Sequence, residues 1–434
     1  MLSQQGKLKR GVRIWDVVAL GVGAAVGVAI FSVLSPAAKV AGPGLLFALA
    51  VAAIPMFIFA VVYAFMGSAI PTSGASFEWP ARFVHPFAGF LIAWLRILGS
   101  TGAMVVLALV MVRYVSTAIE LPVKPTMFAL FLFFFVINLL GVRIAASVQT
   151  VMLAVKLAAF AIFVAFGLSS VDMANFASPL ATGWGPIFAA VPLLVSLYLG
   201  IESATEVGEE IEDSENVIAK GIGISVGLAI LVYGAVAFVA LGTLGAKDLA
   251  ASQAPLTEAG KRFLGDWTSV IIIAAALAFS TTLNSVFMIF TRYLFAMGRG
   301  GVLPAALASI HPKWGTPHVA TCVAFACCLL GLLLPTDLIF LFLAVNIPTM
   351  LKYMGSCGAA IRIAHDHPDI VARARFRLSA GWLKVWAWLG VACAFGIVVI
   401  GFNTDWRPYA VLGAWGLLGA LYWAAAGRRH LVTS

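Results

Sequence analysis

Charge is scarce in this chain. Only 10% of its 434 residues are Asp, Glu, Lys or Arg, where a soluble domain carries about 25%. With 62% hydrophobic residues and a mean hydropathy of +1.04, that excludes an ordinary soluble protein and leaves a polytopic membrane protein. Cysteine is scarce too. The five (Cys322, Cys327, Cys328, Cys357, Cys393) all fall inside apolar runs, as small buried side chains do, and not in the pattern of a disulfide framework. Six histidines sit in polar connections, and His365-Asp366-His367 is their one cluster, which reads as a solvated loop before it reads as a metal site. No metal and no cofactor is expected. With no histidine in an apolar run and no paired carboxylates there, an intramembrane enzyme is not expected either. The basic residues form no continuous stripe, so the net charge of +9 does not point to nucleic acid.

What is present is apolar length. Runs of roughly 17 to 25 apolar residues predict twelve spans, near 13–36, 43–67, 87–118, 126–142, 144–168, 186–208, 217–244, 267–297, 317–335, 337–363, 382–402 and 407–427. The first run is too long for a cleavable signal peptide and is followed by more spans. Basic residues set the orientation. With the N-terminus inside, 17 of the 27 lysines and arginines fall on inside segments or the span ends next to them, seven on the outside ones, and three (Arg96, Lys156, Lys352) deeper within spans. Both termini, 1–12 and 428–434, are therefore expected in the cytoplasm, and the basic excess is expected to face anionic lipid. The plasma membrane, or the inner membrane of a bacterium, is the expected location. Nothing in the sequence speaks to oligomeric state.

Two spans carry residues that weaken a helix. "GVGAAVGVAIF", residues 21–31, holds Gly21, Gly23 and Gly27, and the sixth span is interrupted by Gly200, with Glu202, Ser203 and Thr205 just beyond. A loosened helix is tolerated in hydrocarbon only where it is buried in protein or lines a cavity, and a carboxylate there must face protein or water. Either the glycines admit a neighbouring helix, or the two spans come apart to hold something. Interruptions in corresponding positions make 13–168 and 186–363 two five-helix halves of opposite topology, with 382–427 as two added spans, and point to a substrate site at their interface.

The motifs "GAAVGVAIF", "AGPG", "GIESATEVGEE" and "SVFMIFTRYLFAMGRGGVLPAALASIHPKWGTP" occur in that order, followed by "AIRIAHDHPDIVARARF". Together the stretch from about 13 to 380 resembles the amino acid–polyamine–organocation permeases. That resemblance implies an all-α membrane protein with a leucine-transporter-like 5+5 inverted repeat plus two helices, working by alternating access. It implies an amino acid as substrate. The family's Gly-Ser/Ala-Gly-Ile-Phe signature falls on Gly27, Val28, Ala29, Ile30 and Phe31, with alanine at position 29 in place of the usual glycine. Unwound backbone at Gly27-Val28-Ala29 would present amides to a substrate carboxylate, as half-helix N-termini do. Carbonyls at Ala24, Ala25 and Leu199, beside Gly200, would take the ammonium. Some relatives carry a large aromatic gate where Ser196 stands, and Tyr198 either covers the pocket in its place or is an ordinary packed aromatic.

Lys156 lies about twelve residues from either end of the fifth span, or roughly 18 Å, too far to snorkel. It resembles the lysine of the proton-coupled members. Its ammonium would stand in a sodium site, touching carbonyls around Gly21 to Gly23 and the hydroxyls of Ser280 and Thr281. It is either a proton carrier, with Glu202 as a second candidate, or a permanently charged tether. Arg96 and Lys352 either sit near a cytoplasmic end or face the pocket. The acidic run 206–215 is either a solvated helix end or a latch pairing with basic loops. Proton-linked import of an amino acid is the expected function, with amino acid or amine exchange as the alternative and a passive channel disfavoured.

Overall fold

The computed structural model describes residues 10–26, 30–31, 33–116, 119–181, 183–252, 254–333, 338–404 and 406–425. They are helical throughout, with short 3-10 turns and two isolated bridges, Val12 to Ile211 and Ser73 to Val207. Sixteen α-helices follow one another among the described residues. The first seven are α1 (Ile14–Ala25), α2 (Leu34–Ala41), α3 (Leu45–Ala69), α4 (Ala75–Phe83), α5 (Pro86–Val115), α6 (Val123–Leu140) and α7 (Val142–Gly167). Then come α8 (Trp184–Val195), α9 (Ser214–Ala251), α10 (Pro255–Leu264), α11 (Ser269–Arg299), α12 (His318–Gly331) and α13 (Leu338–Asp366). The chain closes with α14 (Pro368–Arg373), α15 (Ala380–Thr404) and α16 (Arg407–Ala425).

Seven stretches among the described residues are long and apolar enough to cross a bilayer. They are Leu34–Ala69, Pro86–Val112, Val123–Leu140, Arg143–Ser170, Ser214–Ala251, Ser269–Arg299 and Ala380–Val399. Two further apolar helices, Ile14–Ala25 and His318–Gly331, are shorter. The protein is thus a multi-pass membrane protein, and its helices are sorted by what they show to lipid. On α7, Val151, Val155, Ile162 and Phe166 are exposed, whereas Gln149, Lys156, Phe160 and Phe163 are buried. The two sets occupy opposite faces at helical spacing. A charge turned to lipid costs several kcal/mol, so the apolar β-branched and aromatic face turns outward and carries Lys156 inward with the other face.

The short helix α1 is the axis of the bundle. It packs against α7, α9 and α11, and Val17 through Gly23 are buried. Helix α8 lies against α2 and α3. This arrangement brings the C-terminal end of α1 and the C-terminal end of α8 together in the interior. If the α7 faces are as described, spin labels placed singly at 151, 155, 162 and 166 should be relaxed strongly by oxygen and weakly by a polar nickel complex. A label at 155 quenched mainly by the nickel complex would contradict this orientation.

Candidate substrate and coupling site

Helix α1 stops at Ala25. Val26 has φ −77° and ψ 70°, outside the helical region, while its N–H still bonds to the Val22 carbonyl at 2.7 Å. The proposed cradle residues Gly27, Val28 and Ala29 lie outside the described residues. Gly21 and Gly23 belong to the continuous part of α1, and their small size admits neighbours. A Cβ on Gly21 would stand 2.6 Å from the Ile201 carbonyl and 2.7 Å from Ser225 Oγ, and one on Gly23 would overlap the Gln149 amide.

The second interruption begins where α8 ends at Val195. Ser196–Tyr198 form a 3-10 turn, Leu199 is extended, and Gly200 adopts φ 101°. That conformation strains any residue with a Cβ, and here the Cβ would also come 2.9 Å from Ala24 Cβ. The two chain breaks therefore touch, Ala24 against Gly200. Tyr233, reaching in from α9, sets its hydroxyl 2.8 Å from the Ala25 carbonyl and 2.5 Å from the Leu197 carbonyl. Sequence reasoning missed this residue; a tyrosine hydroxyl in the middle of an apolar span was the available signal. Tyr198 is buried edge-on against Tyr233 (5.3 Å, 89°) with its hydroxyl 3.4 Å from the Leu49 carbonyl. Ser196 donates to its own helix, at the Leu193 carbonyl.

Lys156 is wholly buried. Its Nζ donates to the Val26 carbonyl at 2.7 Å and to Thr281 Oγ1 at 2.9 Å. The carbonyl it meets is thus one freed by the interruption itself, not one around Gly21 to Gly23, and Thr281 is the hydroxyl. Ser280 faces Met111 Sδ, 3.7 Å away. Beside it Thr282 Oγ1 donates to the Gly23 carbonyl at 2.9 Å, and the Gln149 amide lies between the carbonyls of Ala19 and Thr281. Helices α1, α7 and α11 are so joined by one polar seam. Among the described residues no carboxylate forms a salt bridge with Lys156.

Past Gly200 the chain carries its carboxylates inward to fixed bases. Glu202 is ion-paired with Lys352 and accepts from the Tyr353 hydroxyl at 2.8 Å. Glu206 accepts from Arg96 at 3.0 Å and from the Ser76 backbone at 3.2 Å, and Arg96 also contacts Ser76 Oγ. Glu210 takes two bonds from Arg292, at 2.8 and 3.1 Å, with both side chains fully buried. Arg299 lies 2.8 Å from the Glu209 carboxylate and 3.1 Å from Glu78. Burial pushes the Glu78 carboxyl up from its ordinary range, with Arg299 pulling it back. Glu212 pairs with Arg13 at 3.2 Å, and Val12 bridges to Ile211. The acidic run fits neither reading whole: Glu206, Glu209 and Glu210 pair with bases on helices α5 and α11, not on loops, whereas Glu212 and Glu215 are solvent-exposed. Arg96 and Lys352 are both buried and face carboxylates, Glu206 of this run and Glu202 before it.

Two helical interruptions thus meet in the interior of a membrane protein, with a buried lysine on a carbonyl at the first of them. The chain belongs to the amino acid permease family, whose model matches residues 13–416. It is 28% identical over 451 residues to the branched-chain amino acid permease of Bacillus subtilis (strain 168), covering 99% of this chain and 95% of that one. An uncharacterized transporter of Mycobacterium tuberculosis is 31% identical over 328 residues, 74% of this chain and 73% of that one. The methylthioribose transporter of Bacillus subtilis (strain 168) is 24% identical over 456 residues, 99% and 96% of the two chains. These relatives and the family are transporters, not enzymes.

The buried pair of Glu210 and Arg292 carries a direct stability prediction. Arg292→Met leaves Glu210 charged and unpartnered, at a cost of about 3–5 kcal/mol, so the purified variant should melt well below the wild type. Adding Glu210→Gln should recover much of that loss. A single variant as stable as the double one would mean that the pair does not hold the segment. Gly200→Val should likewise lower stability, through backbone strain of about 1–3 kcal/mol together with the clash against Ala24.

Proposed function

We propose that the protein is a secondary active transporter that carries an α-amino acid across the membrane with a proton, by alternating access. The observation that supports this best is the seat of Lys156, whose ammonium ties the freed Val26 carbonyl to Thr281 of α11. An ammonium there holds the place a sodium ion would need, and it can give up its proton when the carbonyl or the hydroxyl moves away. Guanidinium cannot do this. Glu202, the other candidate for carrying a proton, is anchored by Lys352 and Tyr353, which favours Lys156 for the coupling step. The substrate's carboxylate would meet the amides of Gly27-Val28-Ala29. Its ammonium would meet carbonyls of Ala24, Ala25 and Leu199, with Ser196, Tyr198 and Gly200 beside it. These backbone groups suit the part common to every α-amino acid. The name of the first Bacillus subtilis relative draws attention to branched-chain side chains, and that of the other to a ligand of a different kind.

On this reading twelve spans form two inverted halves, 13–168 and 186–363, and two added helices, 382–427, with both termini in the cytoplasm and the protein in the plasma membrane. The touching interruptions at the start of each half support the repeat, and the excess of basic residues on one side supports the orientation.

Uptake of each radiolabelled amino acid into proteoliposomes tests the reading. Accumulation should follow an imposed inward proton gradient and be indifferent to sodium, and it should occur in vesicles that hold no internal substrate. Uptake that needs internal substrate would make the protein an exchanger. Lys156→Met and Lys156→Arg should both fold and both fail to accumulate substrate against a gradient. Full gradient-driven accumulation by Lys156→Arg would reject the carrier role and leave Lys156 as a structural tether.

A further inference from the structure

Lys352 stands on α13, almost fully buried, in surroundings that fit an ammonium from several sides. Its Nζ is ion-paired with one oxygen of Glu202, and the Tyr353 hydroxyl holds the other at 2.8 Å. The same Nζ lies 4.6 Å from the Tyr353 ring centroid and 5.6 Å from that of Tyr63, inside the range in which an aromatic face attracts a cation. Tyr63 is set edge-on to Tyr353 (5.5 Å, 87°) and its hydroxyl is fixed on Ser356 Oγ at 2.8 Å. Phe59 stacks on Tyr353 at 4.4 Å. One carboxylate and two oriented rings are the donor set by which proteins recognise organic cations. These walls come from α3, from α13 and from the chain just past Gly200.

The position matters as much as the chemistry. Glu202 is two residues beyond Gly200, which packs on Ala24 at the first interruption. A cation site at this point adjoins the place where a substrate side chain would lie, on the reading of the pocket given above. A lysine or arginine substrate would bring its own charged end to such a site. Here the chain already fills it.

We propose that Lys352 is a tethered ammonium that occupies a ready-made cation site beside the substrate pocket and thereby excludes amino acids with cationic side chains. Two other buried bases are compensated in the same way, Arg96 by Glu206 and Arg292 by Glu210, whereas Lys156 is held by a carbonyl and a hydroxyl. With Lys352 in place, the Glu202 carboxylate is already paired and does not receive an incoming charge. Without it, Glu202, Tyr63 and Tyr353 form an empty ammonium site.

Lys352→Ala removes Cγ, Cδ, Cε and Nζ, the atoms of n-propylammonium. The variant is to be expressed and purified with n-propylammonium present, and its melting then followed with and without the amine. Millimolar n-propylammonium should raise the melting temperature of Lys352→Ala and leave the wild type unchanged, as a ligand that binds only the folded state does. The neutral isostere 1-propanol should do nothing, and adding Glu202→Gln to the variant should abolish the amine's effect. In proteoliposomes, L-lysine should inhibit uptake by Lys352→Ala at a concentration about tenfold or more below that needed on the wild type. A melting temperature indifferent to the amine overturns the proposal. So does an effect matched by 1-propanol, loss of folded Lys352→Ala even with the amine present, or lysine exclusion unchanged from the wild type. The melting shift is read without transport. A wild type that moves no amino acid would therefore fail the functional reading and leave the cation site to be judged on its own measurement.

Discussion

Glu210 and Arg292 meet with neither side chain open to solvent, joined by two parallel bonds. Bringing two full charges into such a place is costly unless the geometry is good and the remaining bonding positions are filled. Here Arg292 also reaches Thr291 Oγ1 at 2.7 Å, and the Glu210 carbonyl accepts the amides of Gly11 and Val12. The pair fixes the segment after the second interruption to α11. Everything else on that segment is then held in register: Glu206 on Arg96, Glu209 on Arg299, Glu202 on Lys352. A chain that leaves helical geometry in the interior of a membrane protein loses its own hydrogen-bond ladder. Glu202, Glu206 and Glu210, four residues apart and each with a base from a different helix, supply the order that the ladder no longer gives.

The two interruptions are stabilised by different means. At the first, the freed Val26 carbonyl is taken by an ammonium on α7, and the preceding turn is gripped by Thr282 and Gln149. At the second, a left-handed glycine and a run of short 3-10 turns carry the backbone around, and side chains anchor it. Cations thus organise one break and carboxylates the other. The contact between Ala24 and Gly200 makes these two systems neighbours.

Much of this was legible in the residues. The scarcity of charge and the length of apolar runs mark a membrane protein, and the ordered motifs mark the permease family that the comparison identifies. Distance alone kept Lys156 off the lipid, against protein or water, and the family resemblance named Thr281, with Ser280, as its hydroxyl neighbours. Other features were not legible for physical reasons. Gly21, Gly23 and Gly200 look alike as letters. The first two admit an amide and a carbonyl against an intact helix, whereas the third is required by a positive φ; only the neighbours distinguish them. The acidic run left two readings open because its partners are far away in sequence, as with Glu206 and Arg96 or Glu210 and Arg292. Tyr233 carried no motif, since a hydroxyl that bonds two backbone carbonyls needs nothing from its sequence neighbours.

That tyrosine has a mechanical consequence. A phenolic hydroxyl owns one proton, yet two carbonyl oxygens compete for it, Ala25 on one broken helix and Leu197 on the other. Whichever oxygen holds the proton, the other is within reach of it. The bond can pass from one to the other by a rotation of the O–H, with no moment at which it is absent. Small displacements of the two half-helices against each other therefore meet little resistance at this point, because the joint trades partners and does not break. Tyr233 is therefore a joint between the two interruptions that either carbonyl can satisfy.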